Sequence, residues 1–288
     1  MPCYHPIIAY RSRKGPSANG AWPLVFNSNL GYCDMKVEVP CGKCIGCRME
    51  YSRQWAIRAL CEMQMHKSNS YITLTYNKNP VSLNKRDYQL FIKKMRRRYA
   101  GFRYMLCGEY GERMGRPHYH ACMFGVDFPD RKRLYRSNGF NVYGSSELEN
   151  IWGNGFVTVG DLSFQSAAYV ARYIVKKIDG DNSDAHYKGK EKEFLRCSQG
   201  IGRDWFLCYA EDAINVDKIV QKTLQASVPK YYNQMYKRFA KDEYLKNKEE
   251  RREKYKGNKS EYSYERLAVK ETLQVLKLKL LKRSFERN

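Results

Sequence analysis

Two β-rich runs joined by a short glycine-containing turn constrain the fold of this chain more than any other feature. Residues 102–109 (FRYMLCGE) and 118–124 (HYHACMF) are both rich in aromatic and apolar side chains. This pattern predicts two neighbouring antiparallel strands. Because side chains on a strand point alternately to its two faces, we expect His118 and His120 to share one face of the sheet. The turn can also fold Glu109 back beside His118.

The remaining patterns place this hairpin in a mixed fold. Further strands are predicted at residues 70–76 (SYITLTY) and 156–159 (FVTV). Helices are predicted at 48–66, 83–99 and 166–178, with a short one near 148–152. The order of these elements predicts an α+β fold, in which an antiparallel sheet carries its helices on one face.

Composition divides the chain into three segments. Residues 1–50 are expected to be a loop-rich, Cys-rich element, residues 51–185 the core, and residues 186–288 a basic, largely helical region. Within the core, residues 126–155 are expected to form a polar connection between strands.

The charge of the chain indicates a polyanionic partner. Lys and Arg number 52 against 30 acidic residues, a formal net charge of +22, and there are 24 tyrosines. Interleaved cationic and aromatic residues suit single-stranded nucleic acid, whose phosphates pair with cations and whose bases stack on rings. No run approaches the roughly 20 apolar residues of a membrane helix, and no secretory leader is recognised, so we expect a soluble intracellular protein with no membrane partner.

The two closely spaced histidines are candidate metal ligands. His118 and His120 could grip one divalent ion, and Glu109 could complete a set of two imidazoles and one carboxylate. Such a set leaves positions open on an octahedral ion, where a phosphate oxygen could bind. Glu112 in the turn competes for the third position, and a pair of hydrogen-bonded, partly buried histidines is the non-metal alternative.

A second motif, AAYVARYIVKK, places two tyrosines on one helix face. Tyr169 and Tyr173 are four residues apart, and Arg172 and Lys176 fall on the same side of the helix. The apolar stripe that includes Ala171 lies on the opposite side, so the tyrosines are not expected in the core. They could stack on bases, or they could be nucleophiles whose phenolate form the neighbouring cations favour.

The ordered motifs resemble those of a known superfamily. They are TLT at Thr73–Thr75, HYH at His118–His120 and YVARY at Tyr169–Tyr173, the last followed by Lys176. This set is similar to the HUH endonucleases, in particular to the microvirus-type, gokushovirus-like rolling-circle replication initiators of small single-stranded DNA bacteriophages. The resemblance covers roughly residues 50–180, and the Cys-rich start is also similar. It implies an RRM-like core sheet.

The resemblance also implies an enzymatic activity. A protein of this kind would be a metal-dependent, site-specific endonuclease that nicks single-stranded origin DNA and joins its ends, thereby starting and ending rolling-circle replication. His118, His120 and Glu109 would hold Mg²⁺ or Mn²⁺. Tyr169 or Tyr173 would attack, with Lys176 as a further catalytic residue, and would leave a 5′-phosphotyrosine link and a free 3′-OH.

The partners that the resemblance implies are viral single-stranded and replicative-form DNA, together with the helicase and DNA polymerase of the host, in the bacterial cytoplasm. Several residues are candidate DNA contacts. Thr73 and Thr75 would lie beside the DNA-contacting surface of the sheet, although ordinary strand formers explain them equally well. The cationic candidates are Arg96, Arg97, Arg98 and Arg172.

The N-terminal cysteines predict a second metal site. Cys41, Cys44 and Cys47 have the C-x-x-C spacing that suits tetrahedral zinc. A fourth ligand is needed, for which Cys3 is our choice among the candidates Cys3, His5 and Cys33; buried free thiols are the alternative. The remaining cysteines are expected in the core: Cys61, Cys107, Cys122, Cys197 and Cys208.

A competing hypothesis explains the charge and the cysteines without catalysis. The chain would then be a non-enzymatic, zinc-containing nucleic-acid-binding regulator or packaging protein, and the histidine and tyrosine motifs would be coincidental.

Overall fold

A computed structural model describes residues 3–18, 20–111, 114–137, 139–176, 183–221, 224–255 and 259–280 of the chain. Within these ranges, no side chain is described at 173–176, 252, 254–255 and 259–260. The described residues form two compact units, one made of residues 3–50 with 252–280 and the other of residues 51–251. The division of the chain into three domains, with boundaries after residues 50 and 185, stays a prediction.

A seven-stranded sheet, antiparallel at every pairing, forms the centre of the larger unit. Its strands lie in the order β10-β5-β6-β4-β9-β8-β7. The bounds are β4 Asn69–Thr75, β5 Arg103–Tyr110, β6 Pro117–Phe124, β7 Lys132–Ser137, β8 Phe140–Gly144, β9 Val157–Asp161 and β10 Phe194–Cys197. The hairpin predicted from the sequence is therefore confirmed as β5 and β6, near the middle of the sheet.

Helices cover both faces of this sheet. The helices of the larger unit include α1 Ile45–Gln64, which begins in the smaller unit, α2 Lys85–Arg98, α3 Ser146–Trp152, α4 Phe164–Lys176, α5 Ser183–Tyr187, α6 Arg203–Asn215 and α7 Lys230–Phe239. Side chains of α2 and α3, such as Phe91 and Trp152, pack on the face that carries Leu74 and Tyr119. Side chains of α1 and α4, such as Ala59, pack on the opposite face. The predicted α+β class is confirmed. The expectation that the helices cover only one face of the sheet was wrong.

The start of α2 shows why its sequence forms a helix where it does. Asn84 has extended backbone angles, and its side-chain oxygen accepts a hydrogen bond from the backbone N–H of Arg86 at 2.9 Å. This satisfies one of the unpaired N–H groups of the first turn. Tyr88, Phe91, Ile92 and Met95 then recur at helical spacing and are buried against the sheet.

Several parts of the chain contain strands where none was predicted, including β10, residues 3–50 and residues 126–155. Residues 3–50 contain a three-stranded antiparallel sheet, in the order β2-β1-β3, with β1 Ile7–Ser12, β2 Leu24–Val25 and β3 Gly31–Val39. The expected polar connection at 126–155 contains the β7–β8 hairpin. The side chains of both β3 and β7 are mostly exposed. The sequence of β7 lacks the alternation of apolar and polar residues that marks a half-buried strand, whereas β3 has it over Met35–Val39.

The C-terminal region is largely helical, as predicted. A short hairpin of β11 Lys218–Gln221 and β12 Leu224–Ser227 precedes α7, which is followed by α8 Lys241–Tyr255 and α9 Tyr264–Leu280. Among the described residues, no helix combines the length and the apolar character needed to cross a membrane.

A candidate metal centre on the central strands

Strand register brings the predicted metal ligands together. In the β5–β6 pair, Glu109 lies directly opposite His118. In the β4–β6 pair, Thr73 lies opposite His120 and Thr75 opposite His118. Directly paired residues project from the same face of a sheet and touch across the strands. The central strands therefore gather a carboxylate, two imidazoles and two hydroxyls on one face.

The three candidate ligands form a tight cluster. Glu109 Oε1 lies 3.2 Å from His118 Nε2 and 3.3 Å from His120 Nε2. One ligand atom from each residue lies within 4.8 Å of the other two. Neighbouring ligands on an octahedral ion with bonds near 2.1 Å are about 3 Å apart, so these separations fit a common ion. Glu109 and His120 are buried and His118 is the most accessible of the three.

The hydrogen bonds on the outer side of each imidazole also fit a bound ion. His118 Nδ1 lies 3.0 Å from the carbonyl oxygen of Arg116, to which only an N–H can donate. This contact fixes the ring of His118 so that its Nε2 atom faces Glu109 Oε1 at 3.2 Å. His120 Nδ1 is held by Tyr71 Oη at 2.7 Å and Thr73 Oγ1 at 2.9 Å, which leaves Nε2 towards Glu109. Outer partners of this kind orient metal-binding histidines.

The charge state of Glu109 matches this role. Burial raises the pKa of its carboxyl group, but hydrogen bonds and charge from His118 and His120 outweigh burial and hold the pKa well below its usual range. The group is therefore an anion at neutral pH, as a metal ligand must be.

Tyr169 reaches the same cluster from α4. Its hydroxyl donates a hydrogen bond to Glu109 Oε1 at 2.8 Å, and its ring stands edge-on to His120 with the ring centroids 5.0 Å apart. The Arg172 guanidinium lies 5.9 Å from the Tyr169 ring centroid. The side chain of Tyr169 is only 3% exposed.

The expectation that Tyr169 lies outside the core was therefore wrong. α4 packs on the sheet, and Tyr169 shares a buried cluster with Ala59 of α1 and Val170. A helical wheel that assumes a single buried stripe underestimates the burial of a helix that packs against neighbours on more than one side. Tyr173 and Lys176 belong to α4 by their backbone, but their side chains lie outside the described residues.

The other predicted site residues are more scattered. Thr73 contacts His120, whereas the Thr75 hydroxyl donates to the carbonyl oxygen of Phe156 at 2.9 Å and so has a structural partner. Arg96, Arg97 and Arg98 are exposed in the last turn of α2, which packs on the opposite face of the sheet from His118. Arg98 pairs with Glu147 at 2.6 Å. Glu112, the alternative third ligand, lies outside the described residues.

Sequence reasoning missed Tyr71 as a site residue. Tyr71 is buried, and its ring stacks on His120 with an angle of 9° between the planes. The signal was present, because Tyr71 stands two residues before Thr73 and thus shares its strand face.

The predicted cysteine cluster also assembles. The Sγ atoms of Cys3, Cys41, Cys44 and Cys47 lie within 4.8 Å of one another. Of the five cysteines expected in the core, Cys61, Cys107 and Cys122 are fully buried and Cys197 is half-buried. Cys208 is exposed, so its assignment to the core was wrong: it occupies the outer side of α6.

Comparison with known proteins identifies the class to which this sheet and its cluster belong. Residues 69–178 match the family described as replication-associated protein ORF2/G2P. This span contains β4, β6 and α4, and therefore all three motifs. The chain belongs to the family of phage replication-associated proteins of the microvirus type.

Individual relatives extend this similarity over most of the chain. It is 33% identical to the replication-associated protein ORF2 of Spiroplasma virus 4, over 88% of this chain and 86% of that protein. It is 32% identical to the replication-associated protein VP4 of Bdellovibrio phage phiMH2K, over 83% and 78% of the two chains. It is 29% identical to the replication-associated protein ORF4 of Chlamydia phage 1, over 71% and 55%. No solved structure matches the chain.

Proposed function

We propose that this protein is the metal-dependent endonuclease and strand-joining enzyme that starts and ends rolling-circle replication of a phage genome. One observation carries the proposal: a buried tyrosine hydroxyl and two imidazoles all meet the same carboxylate oxygen of Glu109 within 3.3 Å. Such a group of side chains combines a nucleophile with a site for a Lewis acid. A purely structural histidine pair requires neither.

Glu109, His118 and His120 would hold Mg²⁺ or Mn²⁺, because carboxylate and imidazole ligands with open positions suit these ions. The bound ion would supply the positive charge that polarises the scissile phosphate. His118 is the most exposed of the three ligands, so we expect the phosphate to approach from its side. Tyr71 and Thr73 would keep the His120 ring oriented through its Nδ1 atom.

Tyr169 would act as a nucleophile. Its proton is directed to Glu109 Oε1, which leaves the lone pairs of the phenol oxygen available to phosphorus. A bond would form between the phenol oxygen and phosphorus, the bond from phosphorus to the 3′-oxygen would break, and the phenolic proton, passed through Glu109, would end on the released 3′-oxygen to give a 3′-OH. The products are a 5′-phosphotyrosine and a free 3′ end. Joining reverses these steps with another 3′-OH, so no energy source is needed.

Tyr173, with Lys176 beside it in α4, would serve as the second nucleophile that ends a round of replication. The net charge of +22 supports viral single-stranded and replicative-form DNA as the substrate. Extension of the 3′ end and unwinding would require the polymerase and helicase of the host, in the bacterial cytoplasm.

A nicking assay tests the proposal. Purified protein is incubated with supercoiled replicative-form DNA of its phage and Mn²⁺ or Mg²⁺. We expect open circles that carry covalently bound protein, and no nicking in excess chelator until the ion is restored. Nicking that persists in excess chelator, or DNA that is bound but never cut with either ion, would contradict the proposal. The second outcome would favour a non-enzymatic regulator.

A further inference from the structure

The four clustered cysteines of the smaller unit have the geometry of a metal site and not of disulfides. Cys3 Sγ lies 3.9 Å from Cys44 Sγ, and Cys41 Sγ lies 4.0 Å from Cys47 Sγ. A disulfide would bring two sulfur atoms to about 2.05 Å. Four thiolates at the corners of a tetrahedron around zinc, with bonds near 2.3 Å, are about 3.8 Å apart. The observed separations match the zinc geometry.

Backbone N–H groups are directed at these sulfur atoms. The N–H of Cys41 donates to Cys3 Sγ at 3.2 Å, and that of Cys44 donates to Cys41 Sγ at 3.3 Å. The N–H of Tyr4 donates to Cys44 Sγ at 3.4 Å. Sulfur is a weak acceptor as a thiol, whereas a thiolate attracts N–H donors through its charge. Three such bonds in one cluster would stabilise the thiolate form that a metal ion requires of its cysteine ligands.

The structure also selects the fourth ligand. Cys33 is exposed in β3, and its Sγ contacts the carbonyl oxygen of Ser28 at 3.9 Å. His5 is exposed, and its Nε2 pairs with Glu271 at 2.7 Å. Cys3 instead completes the cluster with the three cysteines of the CGKCIGC stretch.

We propose that Cys3, Cys41, Cys44 and Cys47 form a closed zinc site that holds the smaller unit together. Four protein ligands leave no position open for a substrate, so the site is structural and plays no part in DNA cleavage. Cys3 precedes β1, Cys41 and Cys44 precede α1, and Cys47 lies in its first turn. The ion joins these segments at a single point.

The packing around the cysteines explains why an ion is needed there. The hydrophobic cluster at this point contains three buried residues, Tyr4, Cys44 and Leu267, the last from α9. The largest cluster of the central sheet contains nineteen. So small an apolar core contributes little, and a bound structural zinc would supply much of the folding free energy of this unit. Loss of the ion should therefore loosen both the N-terminal strands and α9.

Elemental analysis of full-length protein, purified without added metal, tests the site directly. We expect about one zinc per chain. Cys3→Ser should lose the zinc, whereas the matched variant Cys33→Ser and the variant His5→Ala should keep it. Folded wild-type protein without zinc, iron with inorganic sulfide in its place, or loss of zinc on Cys33→Ser would overturn the proposal.

Hydrogen exchange of the wild-type protein provides a second test that does not depend on any variant being soluble. After removal of zinc by a thiol-selective chelating reagent, we expect faster exchange in β1, β3 and α9 and unchanged exchange in β4, β5 and β6. Readdition of zinc should reverse the change. Equal protection of β1, β3 and α9 with and without zinc would contradict a structural role. Neither experiment measures nicking, so the outcome is independent of the proposed enzymatic function.

Discussion

The two clusters of candidate metal ligands differ in what holds them in place. Glu109, His118 and His120 project from paired strands in the middle of a seven-stranded sheet. The ligands at the other site, Cys3, Cys41, Cys44 and Cys47, come from a segment before β1 and from the start of α1, around a small apolar cluster. The central sheet fixes the positions of the ligands at the first site. At the second site, the proposed zinc ion would instead hold the surrounding segments of the chain in place.

This difference shows what each ligand set is suited to do. Ligands fixed by strand register are pre-organised, and a set of three leaves room on the ion for a substrate. Four soft thiolates close the coordination of zinc, and their ion contributes folding free energy instead of catalysis. We therefore expect that a substitution at one cluster leaves the other cluster intact, unless the substitution also unfolds the smaller unit.

The largest expected effect is the loss of a ligand on the sheet. His118→Ala should reduce nicking by at least about 100-fold, because removal of even an outer partner of a metal ligand commonly costs 10–100-fold. Zinc content should stay at the wild-type value. Nicking rates and elemental analysis measure the two quantities. The control is His5→Ala, which removes an exposed histidine of the smaller unit. Wild-type nicking by His118→Ala would remove the metal centre from the mechanism.

The next largest effect is expected at the two tyrosines of α4. Tyr169→Phe and Tyr173→Phe should each keep part of the nicking activity, because the two residues stand about one turn apart in α4 and, under the proposal, either would serve as nucleophile. Each single variant should fail to release closed circles efficiently. The double variant should bind origin DNA with wild-type affinity and never cut it. Residual cutting by the double variant would show that another group attacks.

A smaller effect is expected at Tyr71. Tyr71→Phe removes one of two hydroxyls that contact His120 Nδ1 and leaves Thr73 in place. We expect the Mn²⁺ concentration for half-maximal nicking to rise about 10-fold, the low end for an outer partner of a metal ligand, with little change in the maximal rate. Tyr104→Phe, in the cluster on the opposite face, is the matched control. A fall in maximal rate at unchanged Mn²⁺ dependence would assign Tyr71 a different role.

The smallest effect is expected outside both clusters. Simultaneous replacement of Arg96, Arg97 and Arg98 by Ala should lower the salt dependence of DNA binding by up to about 0.9 in log–log slope for each arginine that contacts phosphate. The cleavage position should not change, because α2 packs on the face opposite the histidines. The triple Lys variant, which keeps the charge, should retain the slope. A shifted cleavage position would mean that α2 reads bases.

The sequence was sufficient to predict the parts of the site that depend on local periodicity. Alternation along a strand placed His118 and His120 on one face, and a short turn returned Glu109 to them. The C-x-x-C spacing predicted that three cysteines lie close together. Each of these inferences needs only the geometry of one element or of one hairpin.

What the sequence could not provide depends on long-range packing. The burial of Tyr169 follows from α1 and the sheet enclosing α4, which a single helical wheel does not contain. The position of Arg96–Arg98 depends on which face of the sheet α2 covers. The strand β7 was missed because its exposed sequence has no apolar–polar alternation. β3 was missed although Met35, Val37 and Val39 alternate with polar residues.

The most direct test of the central claim is to find the residue that becomes attached to DNA. Wild-type protein is incubated with origin single strand and Mn²⁺, digested, and the DNA-linked peptide is mapped by mass spectrometry. The account predicts a 5′-phosphotyrosine on Tyr169 or Tyr173, absent in excess chelator and absent in His118→Ala. An adduct on a residue outside α4, or one that forms equally well in excess chelator, would contradict it.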